Sequence, residues 1–511
     1  MDRLIREIGE QAERHPERRA LVDEEEAVDY ATLTARAARL SHTLTEAGVA
    51  PGDIIAVVLP NGLPLALVML AAADAGAVVA PVAPGLAPEA MARAFAASDA
   101  THLVAGGRFL GELPDTVRAC FPGITGAVLA AGGRATDAIS LDTGLAARPQ
   151  GAAFQGRGRD DVPFILTATS GSTGAPKPVV LSRATKVRRA RAAIDLYAVT
   201  GADVTLAATP MYHSLAMRLV FLPLLAGATG IIAPRFTPAE FIRQVADHGV
   251  TFTIAVASQL TGVIRHLADT PEDVPRLASL RCVVGSSAPM EAGDKASFRE
   301  KVPGDLHECY GTSELGVVSN LAVSRRPDKI ASVGLPDTDV RVRILGADGG
   351  DVPRGETGEI ICTSPMMFDG YYRQPETTRD SLWEGFFRTG DLGSLDDEGF
   401  LYCHGRCKDV IITGGINVHP GDVEAVLKAH PAVADCAAFA RPDPVLGEVV
   451  AAAVVPVEPD TFHPRDLRRH CLDHLADFQQ PRHYCVLSAL PRTELGKVAR
   501  HELPRVCGIP E

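Results

Sequence analysis

Apolar positions along the first third of the chain alternate between two periods. Leu33, Ala37, Leu40 and Leu44 recur at the spacing of a helix face, and Gly48 follows as a stop signal. The unbroken run "IIAVVLP" then predicts a strand, residues 64–76 a helix, and "AVVAPV" a second strand. Continuous apolar strands separated by helices predict parallel sheets covered on both faces. The rhythm continues through "VTLAATP", "TGIIAPRF", "VTFTIAVA" and "LRCVVG". Beyond about residue 330 it gives way to short strands and Gly-rich turns, as in "VRVRILGADGGDVPRGETGEIICT". That texture predicts antiparallel hairpins forming a small barrel or sandwich. From about residue 408 a compact mixed unit is expected, with helices near 421–430 and 464–477 between short strands.

Composition narrows the class. A chain of 511 residues is too long for one hydrophobic core, so two or more domains are expected. With 50 Lys+Arg against 63 Asp+Glu the net charge is −13, which argues against a nucleic acid or an anionic membrane surface as partner. The start "MDRLIREIGEQAERHPERR" mixes charges with helical spacing and does not read as a signal peptide. The most apolar stretch, from Gly62, is interrupted by Pro64, Asp74, Gly76 and Pro81. A membrane span needs about 20 unbroken apolar residues, so a buried helix followed by a strand is expected instead. Ten cysteines lie scattered without a CxxC pair, which predicts reduced thiols and a cytoplasmic location.

One stretch packs nothing. Residues 169–177, "TSGSTGAPK", join two predicted strands and consist of small and hydroxylated side chains before Lys177. Gly171 and Gly174 let backbone N–H groups turn toward a ligand. Thr169, Ser170, Ser172 and Thr173 add hydroxyls, and Lys177 a positive charge. A polyphosphate suits this loop, although a polar surface loop would carry the same residues. The Walker arrangement is absent, because Pro176 and Pro178 flank the lysine.

Further segments follow in order. "YGTSELG" (310–316) offers an aromatic ring, hydroxyls and the Glu314 carboxylate. "FRTGDLG" (387–393) places Asp391 in a Gly-flanked turn. "GRCKDVIITGGINVHPGDVE" (405–424) carries Arg406, Lys408 and a Gly pair before a helix, and "PRTELGKVAR" (491–500) puts Lys497 after a Gly near the end. With these motifs in this order the sequence resembles the adenylate-forming superfamily: acyl- and aryl-CoA synthetases, the adenylation domains of nonribosomal peptide synthesis, and firefly luciferases.

The resemblance implies an α/β fold. A large N-terminal domain (1–406) would hold parallel-sheet subdomains and a barrel-like part at about 331–405, and a small mobile α+β domain (407–511) would turn about a hinge at Lys408. It implies that the 169–177 loop grips the β- and γ-phosphates of ATP. Tyr310 and Gly311 would lie at the adenine, whose edge would meet the backbone at Ser287, Ala288 and Pro289. Thr312 or Ser313 would contact the α-phosphate, and Glu314 would help hold Mg²⁺. Asp391 would take the ribose hydroxyls with Arg406 nearby, Lys497 would bridge the acid's carboxylate and the nucleotide, and Gly414 and Gly415 would border the acceptor tunnel. His213, in "PMYHSLAM", would line or gate the acyl pocket or assist the acceptor step, though a structural histidine fits equally. "HCLDH" (470–474) offers two His and a Cys but no fourth ligand of zinc-like spacing.

The chemistry asks for these residue types. A carboxylate must attack the α-phosphate and expel pyrophosphate, so two anions meet and charge concentrates on nonbridging oxygens. A metal ion, a lysine and fixed N–H donors lower that barrier. The implied enzyme is a carboxylic acid ligase with CoA as first acceptor, an amine or amino acid as the alternative, and a separate carrier protein third. A non-catalytic nucleotide sensor would have no need of Lys497, Glu314, Asp391 and Arg406 together. Departures from the family pattern are Pro178, Arg183, Ser286, Ser287 and Ala216, which by that resemblance fall around the acyl and nucleotide pockets.

Overall fold

The computed structural model describes residues 3–113, 115–132, 138–141, 153–169, 177–493 and 496–509. It divides into two compact units, one of Met1–Ile330, Asp337–Val340 and Thr363–Leu382, the other of Ala331–Pro336, Arg341–Cys362 and Trp383–Glu511.

The first unit holds two sheets. In one, Val128–Ala131, His102–Gly106, Ile54–Val58, Val78–Pro81 and Pro163–Thr169 lie side by side, with Lys177–Ser182 antiparallel at the end. In the other, Gly316–Ala322, Asp305–Thr312, Cys282–Ser286, Phe252–Val256, Val204–Ala207, Thr229–Ile232 and Arg19–Val22 follow in that order. The apolar runs expected as buried parallel strands occupy these positions.

The interrupted apolar stretch forms the helix Leu63–Ala75, in which every residue but Pro64 is buried. Its ends follow from the residues. Pro64 sits in the first turn, where its missing N–H is not needed. Gly76 caps the end at φ +80°, where an added Cβ would lie 3.2 Å from the Arg157 carbonyl and from Pro51. Asp74 is tolerated inside because its carboxylate accepts the Gly156 N–H at 2.7 Å. No helix among the described residues is long and apolar enough to cross a membrane.

The second unit begins with a five-stranded sheet built around Phe386–Leu395, which pairs antiparallel with Gly358–Thr363 and with Leu401–Arg406. A second sheet centres on Gly447–Pro456, flanked by Val433–Asp443 and by the parallel strand His483–Val486. The helices Pro420–Lys428 and Pro464–His474 cover one face through Val423, Leu427, Leu467 and Cys471. Leu490, Leu503 and Ile509 cover the other face, so the segment bearing Lys497 is pinned at both ends.

Candidate active site

In the first unit the motif 310–316 is a tight β-hairpin. Asp305–Thr312 pairs antiparallel with Gly316–Ala322, Thr312 standing opposite Gly316. The Thr312 hydroxyl accepts the Leu315 N–H at 3.1 Å and closes the turn. Gly311 is required by sterics, because a Cβ there would meet the Gly316 carbonyl oxygen at 2.0 Å. Arg189 fixes the turn from below, donating to the carbonyls of Ser313, Glu314 and Met366, each at 2.9 Å. Its guanidinium is buried, and burial with the Arg218 charge pulls its pKa down to about 9.

The Glu314 side chain meets Tyr371, whose hydroxyl donates to Oε1 at 2.9 Å. Lys177 Nζ lies over the same ring, 5.9 Å from its centroid. Tyr371 is thus shared by the carboxylate and the lysine. It is placed by residues 370–372 running along Lys177–Ser182, with Val180 N donating to the Gly370 carbonyl and Tyr372 N to that of Pro178, both at 2.9 Å. Pro178 lies within the strand, in register with Ala168, and accepts the Tyr372 N–H through its carbonyl. Thr169 faces Lys177 across the strand pair. Ser170, Gly171, Ser172, Thr173 and Gly174 lie outside the described residues.

Ser287, Ala288 and Pro289 follow the strand Cys282–Ser286 in a turn, with Ser287 at φ +75°, where a glycine would be unstrained. The Glu308 carboxylate anchors this turn by accepting the Met290 N–H at 2.9 Å. It is paired with Lys295 Nζ at 2.8 Å, and both side chains are buried. Tyr310 sits on the adjoining strand opposite Ser319. His213 precedes the helix Ser214–Ala226, half-buried, its ring 4.7 Å from that of Tyr212.

Arg183 is fully buried, donates to the carbonyls of Pro163 and Ala77 at 3.0 Å, and lies over Phe164. Ala216 is likewise buried within its helix.

In the second unit Asp391 and Arg406 face each other across two strands, Nε to Oδ1 at 3.1 Å. Lys497 is presented by a tight turn in which Thr493 N donates to the Lys497 carbonyl at 2.8 Å and Gly496 adopts φ +74°. Burial and the Arg406 cation hold its ammonium below the ordinary lysine range, with the Asp391 carboxylate opposing. Arg500 anchors the turn, donating to Glu424 and, at 2.9 Å, to the Ala438 carbonyl, and reaching Asp409 at 3.5 Å.

Lys408 is exposed in the short turn Cys407–Asp409. Gly414 and Gly415, at φ +58° and +84°, form the two-residue link between Ile411–Thr413 and Ile416–Val418, where both central residues need positive φ. His470 and His474 are engaged by the carbonyls of Val426 and His470.

Tyr371, Arg189, the Lys295–Glu308 pair and the Glu424–Arg500 pair escaped sequence reasoning. Arg189 and Tyr371 lie 125 and 57 positions from Glu314. The signal that could have found Arg189 is an arginine on the inward face of a helix.

Residues 8–372 match the AMP-binding enzyme family, and residues 422–497 match the AMP-binding enzyme C-terminal domain. The chain belongs to this family. It is an adenylate-forming ligase, as the ordered motifs implied. A feruloyl-CoA synthase of an Amycolatopsis species is 32% identical over 94% of each chain. Among solved structures, the amide bond synthetase McbA from Marinactinospora thermotolerans superposes with TM-score 0.85 at 28% identity, covering 98% of this chain and 99% of that one. The O-succinylbenzoate coenzyme A synthetase MenE from Bacillus subtilis, in complex with ATP and magnesium ion, gives TM-score 0.84 at 26% identity over 97% and 98%.

Proposed function

We propose that this ligase activates an organic acid as acyl-AMP with release of pyrophosphate and transfers the acyl group to CoA. The observation that carries the reading is that Lys497, on a segment braced by Arg500, feels the charges of Asp391 and Arg406, which pair across two neighbouring strands. A surface lysine of no function would be free in solvent.

In this reading the 169–177 loop and Lys177 hold the β- and γ-phosphates. Tyr310, with the backbone at Ser287, Ala288 and Pro289, takes the adenine, and Thr312 or Ser313 the α-phosphate. Asp391 accepts the ribose hydroxyls beside Arg406. Glu314 fits a magnesium ligand: Tyr371 engages Oε1, while the second oxygen has no hydrogen-bond partner among the described residues. A hard cation held by one carboxylate takes its remaining ligands from phosphate and water. The ion, when bound, neutralises phosphate charge. Lys497 keeps its proton and neutralises the incoming carboxylate as its oxygen attacks the α-phosphorus and pyrophosphate departs with the bond pair. The thiol sulfur of CoA then attacks the acyl carbon, giving up its proton, and AMP leaves. His213 lines the acyl pocket and offers a neutral imidazole for that proton.

We further read residues 407–511 as a mobile domain hinged at Lys408, with Gly414 and Gly415 bordering the acceptor path. The ten cysteines, all free, support a reducing, cytoplasmic setting. Likeness to an amide bond synthetase supports the second reading, transfer to an amine. Incubating the enzyme with ATP, an acid panel and either CoA or amines separates the two by product mass. Thioester without amide supports CoA, and amide formed without CoA supports the alternative. No pyrophosphate exchange with any acid refutes both.

A further inference from the structure

Lys186, Arg189 and Arg218 stand on two helices of the first unit that pack against each other. Lys186 and Arg189 lie on one face of the helix Arg183–Leu196, only 4% and 2% exposed. Arg218 stands on the helix Ser214–Ala226, five residues after His213, or about 7.5 Å of helix rise. Lys186 Nζ lies 5.5 Å over the ring of Phe221, one turn beyond Arg218. Arg189 spends its donors on the carbonyls of Ser313, Glu314 and Met366. Lys186 and Arg218 meet neither a carboxylate nor a hydrogen-bond acceptor among the described residues.

The nearby carboxylates are committed elsewhere. Glu314 takes the Tyr371 hydroxyl, and Asp369 takes the Ser182 N–H and the Thr185 hydroxyl. Two neutral polar groups, the Tyr197 hydroxyl and the Cys309 thiol, lie buried within reach of the Arg218 charge.

Lys186 and Arg189 are buried and Arg218 half-buried, and like charges drawn out of water with no counterion among the described residues are costly. Leu or Met at position 186 would fill the same volume and pack on Phe221 without that cost. Burial and the Arg189 and Arg218 charges push the Lys186 amine well down. An anion arriving between Lys186 and Arg218 would relieve the repulsion and restore the ammonium.

We propose that Lys186 and Arg218 form an interior anion site for a second acidic group of the substrate. The acids activated would then carry a carboxylate, sulfonate or phosphate distal to the carboxyl that is adenylated. This rests on the acid-ligase reading of the Glu314 site and names the substrate class for it. Arg189 ties the two places together, because the guanidinium beside the anion site also holds the Ser313 and Glu314 carbonyls.

The test is ATP–pyrophosphate exchange with matched pairs: hexanoate and adipate, butyrate and 3-sulfopropionate, 3-phenylpropionate and its 4-carboxy derivative. In the wild type the anionic member of at least one pair should show the higher kcat/KM, by tenfold or more. Lys186→Met and Arg218→Gln should each lower that ratio at least tenfold, chiefly through KM for the anionic acid. Lys186→Met removes a buried amine at nearly constant volume, so its melting temperature should hold or rise. A preference for the neutral member in every pair overturns the proposal, as does a ratio unchanged in both variants. Exchange confined to neutral acids leaves the ligase reading standing and removes only the anion site. No exchange with either class removes both.

Discussion

Tyr371→Phe deletes one oxygen atom at the point where two proposed nucleotide contacts share a side chain. The lost bond is a 2.9 Å hydroxyl–carboxylate contact, and the ring that carries Lys177 at 5.9 Å remains. The Glu314 backbone stays fixed by Arg189 and by Phe368 N, which donates to the Glu314 carbonyl at 2.6 Å. Only the carboxylate is released. A hydrogen bond to a charged group contributes about 1.5–3 kcal/mol, or roughly 10- to 150-fold in the population of the tethered rotamer. The variant should therefore need more Mg²⁺ for half-maximal exchange and lose up to that factor in kcat/KM for ATP, with melting nearly unchanged. A double-mutant cycle with Glu314→Gln isolates the pair, and the coupling should fall in the same range of about 1.5–3 kcal/mol. Additive losses, or an unaltered magnesium dependence in Tyr371→Phe, would refute the argument.

Lys497→Ala should suppress acyl-AMP formation far more than acyl transfer from preformed acyl-AMP, measured as separate half-reactions; equal loss in both would contradict the proposed division of labour. Because burial and Arg406 depress its pKa, the alkaline limb of kcat/KM for adenylation should fall below the ordinary lysine value of about 10.4, and Lys497→Arg should move it upward. Lys295→Met leaves Glu308 buried with only the Met290 N–H, at a cost of about 3–5 kcal/mol. Burial already raises the Glu308 pKa, and losing Lys295 raises it further. A raised carboxyl stabilises the fold below its unfolded pKa and loses that contribution as pH climbs through the folded value. The deficit against wild type should therefore be larger at pH 8 than at pH 5 in denaturant melts.

Much of this was legible in the chain. Apolar runs such as "IIAVVLP" marked buried parallel strands because both faces of such a sheet are covered, whereas the Gly–Gly at 414–415, read only as a glycine pair before a helix, proved to be a two-residue hairpin link. Motif order revealed the family. What stayed hidden was the support. Arg183, Arg189, Lys186 and Lys295 are all buried cations, and composition places such residues on the surface by default. Arg183, Arg189 and Lys295 meet backbone carbonyls or remote side chains, and carbonyls carry no letter in the sequence. The sequence showed Arg183 only as a departure from the family pattern, and not that it braces the Pro163 and Ala77 carbonyls.

The Arg500 clamp limits where the chain can bend. Its guanidinium joins Asp409, Glu424 and the Ala438 carbonyl, so under the proposed hinge at Lys408 residues from 409 onward would act as a lever arm with Lys497 near its tip. Torsion applied downstream of Asp409 would tear those bonds, whereas torsion at the exposed turn just before it leaves them whole. A small dihedral change at one residue would then carry the tip lysine through a long arc.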